Sequence, residues 1–257
     1  MDAAFDHIAT EYDLDFTNTV IGKAQRSQVW HHLPKVNDQT NCLELNCGTG
    51  ADALVFAQKG VTILATDVSS EMVNETNKKL HAFENASAKE LDINKLDSKI
   101  LADKNLVFSN FGGLNCISPS DWKEFANKLE RLQPKSKLVF VIMGRKCLWE
   151  QLYFAVSQKK WSRKGAELIA AQVGNALIKT WYYSPREIIS FIPNSFSLVK
   201  CKPVGFAVPP SYLEPRFKKM KGLVGLFNWL DKTLFSHTLF ANYADHFYIE
   251  FEKTTHG

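Results

Sequence analysis

The sequence predicts an α/β fold, in which a mostly parallel sheet carries helices on both faces. Three observations support this prediction. An apolar run at residues 41–46 leads through a glycine turn into a helical pattern. Short apolar runs then alternate with helical patterns as far as residue 143. The last of these runs, 138–143, is apolar throughout, which is typical of a strand buried on both faces.

The glycine turn, Gly48-Thr49-Gly50, separates a strand at 41–46 from a helix at 51–59. Glycine lets the backbone turn sharply and lets a ligand approach closely. The free N–H groups at the start of the following helix face whatever occupies such a turn. Glu44 lies inside the strand end, where a carboxylate is costly unless it has a partner. We therefore expect a ligand site at this turn.

The first half of the chain alternates regularly between strands and helices. Ser69 is a candidate N-cap for one helix, and Ser118-Pro-Ser-Asp121 combines a capping serine, a proline at the first helical position and an acid three residues on. This order predicts parallel strands joined by right-handed crossovers. The predicted helices are 19–33, 70–83 and 118–132, and the predicted strands after the turn are 61–66, 86–91, 105–109 and 138–143.

The pattern changes after Gly144. We predict helical structure over 146–175, a strand at 177–183, a helix that begins at the capping box Ser184-Pro-Arg-Glu187, and strands at 196–207 and 244–252. Residues 210–240 form a further insertion. No repeat or low-complexity stretch divides the chain, so we expect a single domain over 1–257. It would have an N-terminal cap at 1–35 and lid insertions at about 146–195 and 209–243.

Composition narrows the functional classes. Hydrophobic residues make up 45% and charged residues 23% of the chain, and the formal net charge is +4. This charge is well below that of a nucleic-acid-binding surface, so no nucleic-acid partner is expected. The five cysteines show no C-x-x-C spacing, which argues against a disulfide framework or a zinc site, and no metal is predicted. Lacking a signal-peptide pattern or a long apolar run, the chain is expected to be cytoplasmic, without stable membrane insertion.

Five segments resemble motifs of the class I S-adenosylmethionine-dependent methyltransferases, in particular the ubiquinone/menaquinone type. Residues 43–50 resemble motif I, 66–72 motif II and 90–93 motif III, while 5–13 and 107–115 are similar to the opening segment and the motif IV region. One departure is Asn46, which stands where the family usually has its first glycine. Asparagine tolerates unusual backbone angles, so we expect the turn to be kept.

The resemblance implies a Rossmann-like seven-stranded sheet whose last strand is antiparallel and inserted between the fifth and sixth. It also implies S-adenosyl-L-methionine as cofactor and S-adenosyl-L-homocysteine as product. Asp67 lies about 20 residues after the turn, the spacing expected for an acid that binds ribose hydroxyls. The expected cofactor-binding residues are Tyr12, Glu44, Asn46, Gly48, Gly50, Asp67, Val68, Met72, Asp92, Ile93, Asn110 and Phe111.

The expected roles differ within this set. Tyr12 lies in a segment that crosses the ligand in the family, and Glu44 would lie near the methionine moiety. Asp92 would face the adenine amino group, with Ile93 offering a backbone N–H. Val68 and Met72 would flank the adenine ring, although an ordinary core role is equally open. Arg26 could point towards the cofactor carboxylate or into solvent.

The acceptor is harder to predict. The segment after residue 109 lacks the Asn/Asp-Pro-Pro-Tyr/Phe motif, which counts against methylation of DNA or glutamine. No general base can be assigned, and His237 and His246 are candidates only by residue type. Residues 217–230 mix lysines with apolar side chains and could form a lid helix or touch a membrane surface. Aromatic residues crowd the insertions, either around a hydrophobic or aromatic small molecule or as the lid's own core: Trp149, Tyr153, Tyr182, Tyr183, Tyr212, Phe217, Phe227 and Trp229.

The sequence therefore predicts an S-adenosylmethionine-dependent methyltransferase that acts on a small, hydrophobic or aromatic molecule. Two alternatives stay open. The chain could be a catalytically inactive module that binds S-adenosylmethionine or S-adenosylhomocysteine, as Asn46 hints. It could also be a nicotinamide-dependent oxidoreductase, which shares the strand–turn–helix start, although a full G-x-G-x-x-G is missing.

Overall fold

A computed structural model describes residues 6, 9–157, 169–173 and 176–255 of the chain. Its strands are β1 (Asn41–Leu45), β2 (Thr62–Asp67), β3 (Ala86–Glu90), β4 (Leu106–Ser109), β5 (Lys137–Met143), β6 (Ile169–Val173), β7 (Ala176–Thr180), β8 (Phe196–Val204) and β9 (His246–Lys253). Its α-helices are α1 (Val20–His32), α2 (Ala51–Gln58), α3 (Ser70–Leu80), α4 (Pro119–Leu129), α5 (Leu148–Ser157), α6 (Pro185–Phe191), α7 (Glu214–Phe217) and α8 (Lys221–Thr233).

Seven strands form one sheet in the order β3-β2-β1-β4-β5-β9-β8. The five strands from β3 to β5 are parallel, whereas β9 runs antiparallel to both β5 and β8. The predicted α/β fold and the inserted antiparallel strand are both confirmed. Strands β6 and β7 form a separate antiparallel pair. Because the chain order reverses between β1 and β4, the carboxyl ends of these two strands flank the crevice where such sheets bind ligands.

Each face of the sheet carries its own apolar core. Leu43 and Leu45 of β1 pack into a cluster with Trp122 of α4 and Ile188 of α6. The alternate residue Cys42 faces the opposite cluster, because side chains alternate along a strand. That second cluster takes in buried side chains of α1, α2 and α3. Glu44, which shares the alternation of Cys42, is thereby directed towards α1 and α2.

Most predicted elements match the structure to within a few residues. Ser69 caps α3 by accepting a hydrogen bond from the Met72 N–H at 3.1 Å, and both predicted capping boxes form, at Ser118 and Ser184. The prediction of continuous helix over 146–175 is wrong. Helix α5 ends at Ser157, and residues 169–173 form a strand that pairs with β7. The remainder of that prediction lies outside the described residues.

Aromatic side chains of the insertions pack mostly against one another. Trp149 of α5 contacts Phe217 and Phe227 with ring centroids 5.9 and 6.3 Å apart. These three rings join buried side chains of α1 and α8 in a third apolar cluster. Tyr182 and Tyr183 are also buried, and the Tyr183 hydroxyl donates to the Ile117 carbonyl at 2.6 Å. The alternative that these aromatics make the lid's own core is favoured for Trp149, Phe217 and Phe227, whereas Tyr183 belongs to the core against the sheet.

Buried polar contacts fasten α8 to α1. Asp231 accepts hydrogen bonds from the Ala207 and Val208 N–H groups at 2.7 and 2.9 Å and from the Gln28 side chain at 3.0 Å. At the N-terminal end of α1, the Glu214 carboxylate of α7 accepts hydrogen bonds from the first two N–H groups of the helix at 3.0 and 2.9 Å. The lid helices are therefore held to the N-terminal helix by carboxylates as well as by apolar packing.

None of the described helices combines the length and the apolar character needed to cross a membrane. The cytoplasmic location stays a prediction of the sequence.

Candidate functional site

The turn after β1 keeps the backbone that the sequence predicts. Asn46, Gly48 and Gly50 all have positive φ, at 55°, 54° and 74°, a region that asparagine enters more readily than most residues. Gly50 has no alternative, because a Cβ there would lie 2.5 Å from the Thr76 methyl carbon. The substitution at the family's first glycine position therefore leaves the turn intact.

Asn46 has a second consequence at the end of β4. A Cβ built on Gly113 would lie 2.2 Å from the Cβ of Asn46 and 2.6 Å from its Cγ. Real Cβ atoms do not approach this closely, so residue 113 must lack one. The asparagine side chain thus occupies space beside the Asn110–Gly113 segment, and its Oδ1 atom is buried without a hydrogen-bond partner among the described residues.

Asp52, in the first turn of α2, organises a buried polar cluster. Its Oδ2 atom accepts from the Asn110 side chain at 2.8 Å and pairs with the guanidinium of Arg26. Its Oδ1 atom accepts from the Trp30 indole at 2.7 Å. Burial lowers the pKa of Arg26, but Asp52 outweighs this effect, so the guanidinium stays charged. Of the two positions open for Arg26, the structure favours the inward one.

Sequence reasoning missed Asp52. The available signal was an acid directly after the glycine turn, in the first helical turn, where a carboxylate is electrostatically favourable. That placement alone is compatible with solvent exposure, and only the fold reveals that Asp52 is 3% exposed and joins α1, α2 and β4.

Glu44 is 2% exposed, and its Oε2 atom has no hydrogen-bond partner among the described residues. Burial raises its pKa well above the ordinary value, nearby Asp52 raises it further, and Arg26 opposes both. Arg26 Nε and Asn110 Oδ1 are likewise buried without partners. An unpaired buried polar atom costs about 1–3 kcal/mol, so their concentration at the carboxyl ends of β1 and β4 indicates a polar ligand.

Asp67 is the last residue of β2, and its carboxylate connects the glycine turn after β1 to the turn between β2 and α3. Its Oδ2 atom accepts from the Gly48 N–H at 2.9 Å, and its Oδ1 atom accepts from the Ser69 N–H at 3.0 Å. Burial raises its pKa, and these two backbone N–H groups offset part of that effect. Each carboxylate oxygen retains a further lone pair, which can accept from a hydroxyl. Asp67 thus fixes the glycine turn and keeps capacity for a ligand diol.

The four residues expected around adenine differ in how far they are exposed to solvent. Val68 is 44% exposed at the end of β2, whereas Met72 is 1% exposed, which suits the alternative core role for Met72. Asp92 accepts from the N–H of Asn94 at 3.0 Å as an N-cap, and Ile93 beside it is buried. The adenine contacts of all four residues stay predictions.

The N-terminal segment lies across the glycine turn. A Cβ on Gly48 would be 3.9 Å from the Tyr12 ring, so that ring covers the turn. Asp13 accepts from the Thr49 hydroxyl at 2.6 Å and pairs with the ammonium group of Lys79, which also donates to the Thr49 carbonyl at 2.7 Å. The sequence offered no sign of this attachment, because its partners are at least 30 residues apart.

The two candidate histidines are separated by the fold. His246 begins β9, is 9% exposed, and packs edge-on against Phe111 with ring centroids 5.4 Å apart. Its Nδ1 atom lies 3.2 Å from Asp245 Oδ2. His237 instead accepts from the Leu239 N–H at 3.3 Å as the cap of a short, exposed helical turn. Only His246 lies beside a residue of the candidate site.

Comparisons with known proteins agree with this arrangement. Residues 42–135 match the profile of a family described as methyltransferase domain. A search of curated protein sequences finds no significant match.

Solved structures with the same fold are numerous but distant in sequence. The DhpI–SAH complex has a TM-score of 0.60 at 14% identity, covering 98% of this chain and 94% of that one. An S-adenosylmethionine-dependent methyltransferase from Listeria monocytogenes, described as putative, gives 0.58 at 13% identity, over 90% and 99%. The geranyl diphosphate C-methyltransferase from Streptomyces coelicolor gives 0.57 at 10% identity, over 91% and 78%.

The matched segment, 42–135, contains the glycine turn, Asp67 and Asn110, and so most of the residues that build the candidate site. The sheet order and the inserted antiparallel strand are those expected from the motif resemblance. In its motifs, its profile match over residues 42–135 and its fold, the chain is similar to the class I S-adenosylmethionine-dependent methyltransferases.

Proposed function

We propose that the protein binds S-adenosylmethionine at the carboxyl ends of β1, β2 and β4 and transfers its methyl group to a small molecule. The observation that carries this proposal is a group of four buried polar atoms near the glycine turn that find no hydrogen-bond partner among the described residues: Glu44 Oε2, Asn46 Oδ1, Asn110 Oδ1 and Arg26 Nε. Three are oxygen acceptors and one is a donor with positive charge. Such a set suits a zwitterionic amino acid group, which offers N–H donors and a carboxylate together.

Each residue would contribute in a defined way. Glu44 and Asn110 would accept from the ammonium of the methionine moiety, while Arg26, held by Asp52, would face its carboxylate. Asp67 would accept from the ribose hydroxyls with its remaining lone pairs. Tyr12 would cover the ligand and exclude water. Solved neighbours that share the fold contain SAM or SAH, which supports the choice of ligand.

The bound cofactor supplies an electrophilic methyl group on a sulfonium, so the protein's task is alignment and desolvation. The backbone of Gly112 and Gly113 follows Asn110, with the side chains of Met143 and Asn46 packed against the two glycines. The ring of His246 packs against Phe111, which precedes these two glycines.

A small-molecule acceptor is supported by a neighbour of the same fold, which is named for its action on geranyl diphosphate. The expectation of a hydrophobic or aromatic acceptor has lost most of its basis, since most of the lid aromatics pack among themselves. Trp229 and Tyr212 are the most exposed of these aromatic residues, at 56% and 45%.

The first test is calorimetric titration of the purified protein with S-adenosylhomocysteine, with NADH as control. We expect binding of S-adenosylhomocysteine alone, and a loss of at least about tenfold in Glu44→Gln, because one charged acceptor is removed. Glu90→Gln, an exposed glutamate at the end of β3, serves as the matched control and should bind like the wild type. Unchanged affinity in Glu44→Gln would remove the assigned role of that carboxylate, and binding of NADH alone would favour an oxidoreductase.

The inactive-module alternative rested on Asn46. Since Asn46 adopts the required positive φ, that reason no longer applies. Transfer of a labelled methyl group from S-adenosylmethionine to any member of a broad acceptor panel would exclude this alternative directly.

A further inference from the structure

A cavity of about 400 Å³ opens at the carboxyl end of β5, two strands along the sheet from β1 and its glycine turn. Its walls come from three segments: the residues that follow β5, the start of α6, and the loop that precedes β9. The lining residues are Gly144, Arg145, Lys146, Tyr183, Ser184, Pro185, Arg186, Ala241, Asn242 and Tyr243. The sequence did not single out this cavity.

The lining includes three cationic side chains and no acidic one. Arg145 is fixed by Glu187, whose Oε1 atom lies 2.6 Å from its Nη2, and by the Tyr182 carbonyl, which accepts from its Nε at 3.2 Å. Lys146 and Arg186 have no ion-pair partner among the described residues. The Lys146 ammonium lies 5.6 Å from the ring centroid of Tyr243. Both Lys146 and Arg186 are exposed to solvent, and neither is paired with a carboxylate in the part of the chain that the structure describes.

Resting on the proposed function, we propose that this cavity binds the anionic group of the methyl acceptor, such as a phosphate, diphosphate or carboxylate. Arginine and lysine are the residues that bind such oxyanions, through charge-assisted hydrogen bonds. Tyr243, 44% exposed, adds a hydroxyl donor at the rim. The acceptor would thus carry its negative charge away from the atom that is methylated.

The position of the cavity sets the length of such an acceptor. Ser109 of β4 pairs with Phe140 of β5, so Asn110 lies at the level of Val141. Gly144, the first lining residue, is three residues further along, which corresponds to about 10 Å of extended chain. An acceptor that reaches from the end of β4 into the cavity would carry its anionic group at about this distance from the methylated atom.

The test is calorimetric titration of the full chain with pyrophosphate and, separately, with malonate, at constant ionic strength and with S-adenosylhomocysteine present. We expect at least one of these anions to bind. Arg186→Gln and Lys146→Gln should each weaken that binding about tenfold, as expected for the loss of one charged donor. Preference for pyrophosphate would indicate a phosphorylated acceptor, and preference for malonate a carboxylate; either supports an oxyanion site.

Arg131→Gln is the matched control, since Arg131 is exposed at the end of α4 and is absent from the cavity lining. Equal losses in this control and in the cavity variants would overturn the proposal, as would failure of both anions to bind. Titration with S-adenosylhomocysteine alone separates the two levels of the hypothesis. If it fails, the proposed function fails; if it succeeds while no anion binds, the cavity assignment alone is wrong.

Discussion

Two buried titratable groups near the lid are expected to oppose each other in the dependence of stability on pH. Burial raises the pKa of Asp231 from 3.8 to about 6, even though three backbone N–H groups and the Gln28 side chain donate to its carboxylate. Burial also lowers the pKa of His32 from 6.5 to about 4, and the neighbouring His31, Lys202, Lys200 and Lys232 act in the same direction. Both residues are almost inaccessible to solvent, at 1% and 7% exposed.

Whether each residue stabilises or destabilises the fold as pH rises depends on which state, folded or unfolded, binds more protons. Between pH 4 and 6 the folded protein holds a proton on Asp231 that the unfolded chain has lost, so the contribution of Asp231 to stability falls as pH rises. In the same window the unfolded chain protonates His32 and the folded protein does not, so the contribution of His32 rises with pH. Each pKa difference exceeds two, which corresponds to about 3 kcal/mol per group. In the wild type the two contributions nearly cancel.

The Asp231→Asn substitution should expose this compensation. The variant loses acceptor capacity at every pH, but its stability deficit relative to wild type should be largest near pH 4 and should shrink by about 3 kcal/mol towards pH 7. Urea unfolding followed by tryptophan fluorescence, at several pH values in this range, measures the deficit. The His32→Gln variant should show the opposite trend: its free energy of unfolding should increase relative to that of the wild type as pH falls. A deficit in Asp231→Asn that is constant with pH would refute the assigned pKa and its physical cause.

Two further substitutions test the lid attachment and the glycine turn. Glu214→Ala should reduce the free energy of unfolding by about 1–3 kcal/mol, because two N–H groups of α1 lose their acceptor; the exposed Glu84→Ala should stay near wild type in the same urea titration. Gly50→Ala should lower both stability and S-adenosylhomocysteine affinity, since a Cβ meets Thr76 and φ is positive. Gly222→Ala, in open space on α8, should instead raise stability by about 0.5–1 kcal/mol, and a loss there would contradict this steric account.

The sequence was sufficient to predict the parallel part of the sheet, because clear signals in the first half of the chain mark where the intervening helices begin. Ser69, Ser118 and Ser184 mark helix starts through local side-chain chemistry, and each caps a helix as expected. The prediction of helix over 146–175 fails at 169–173, because apolar and aromatic content of this kind is compatible with a helix and with a strand alike. Pairing between residues 169–173 and β7 then decided the outcome.

The residues of the candidate site likewise fall into two groups, those that the sequence could place and those that it could not. The positions of Glu44, Asp67 and Asn110 at strand ends could be predicted because each lies within a recognisable motif, and their contacts with a ligand stay predictions. Asp52 and the Asp13–Lys79 pair could not, since their roles depend on which helices the fold brings together. Long-range contacts of this kind leave no trace in local spacing.

The contact between Asn46 and Gly113 has a consequence for how this family of sequences can diverge. While residue 46 carries a side chain, residue 113 is confined to glycine, because the two Cβ positions overlap. Related chains that retain glycine at the position of Asn46 are released from this constraint and can accept a larger residue opposite it. The two positions are thus expected to change together during evolution, and the order is fixed: residue 113 must already be glycine before an asparagine can appear at 46.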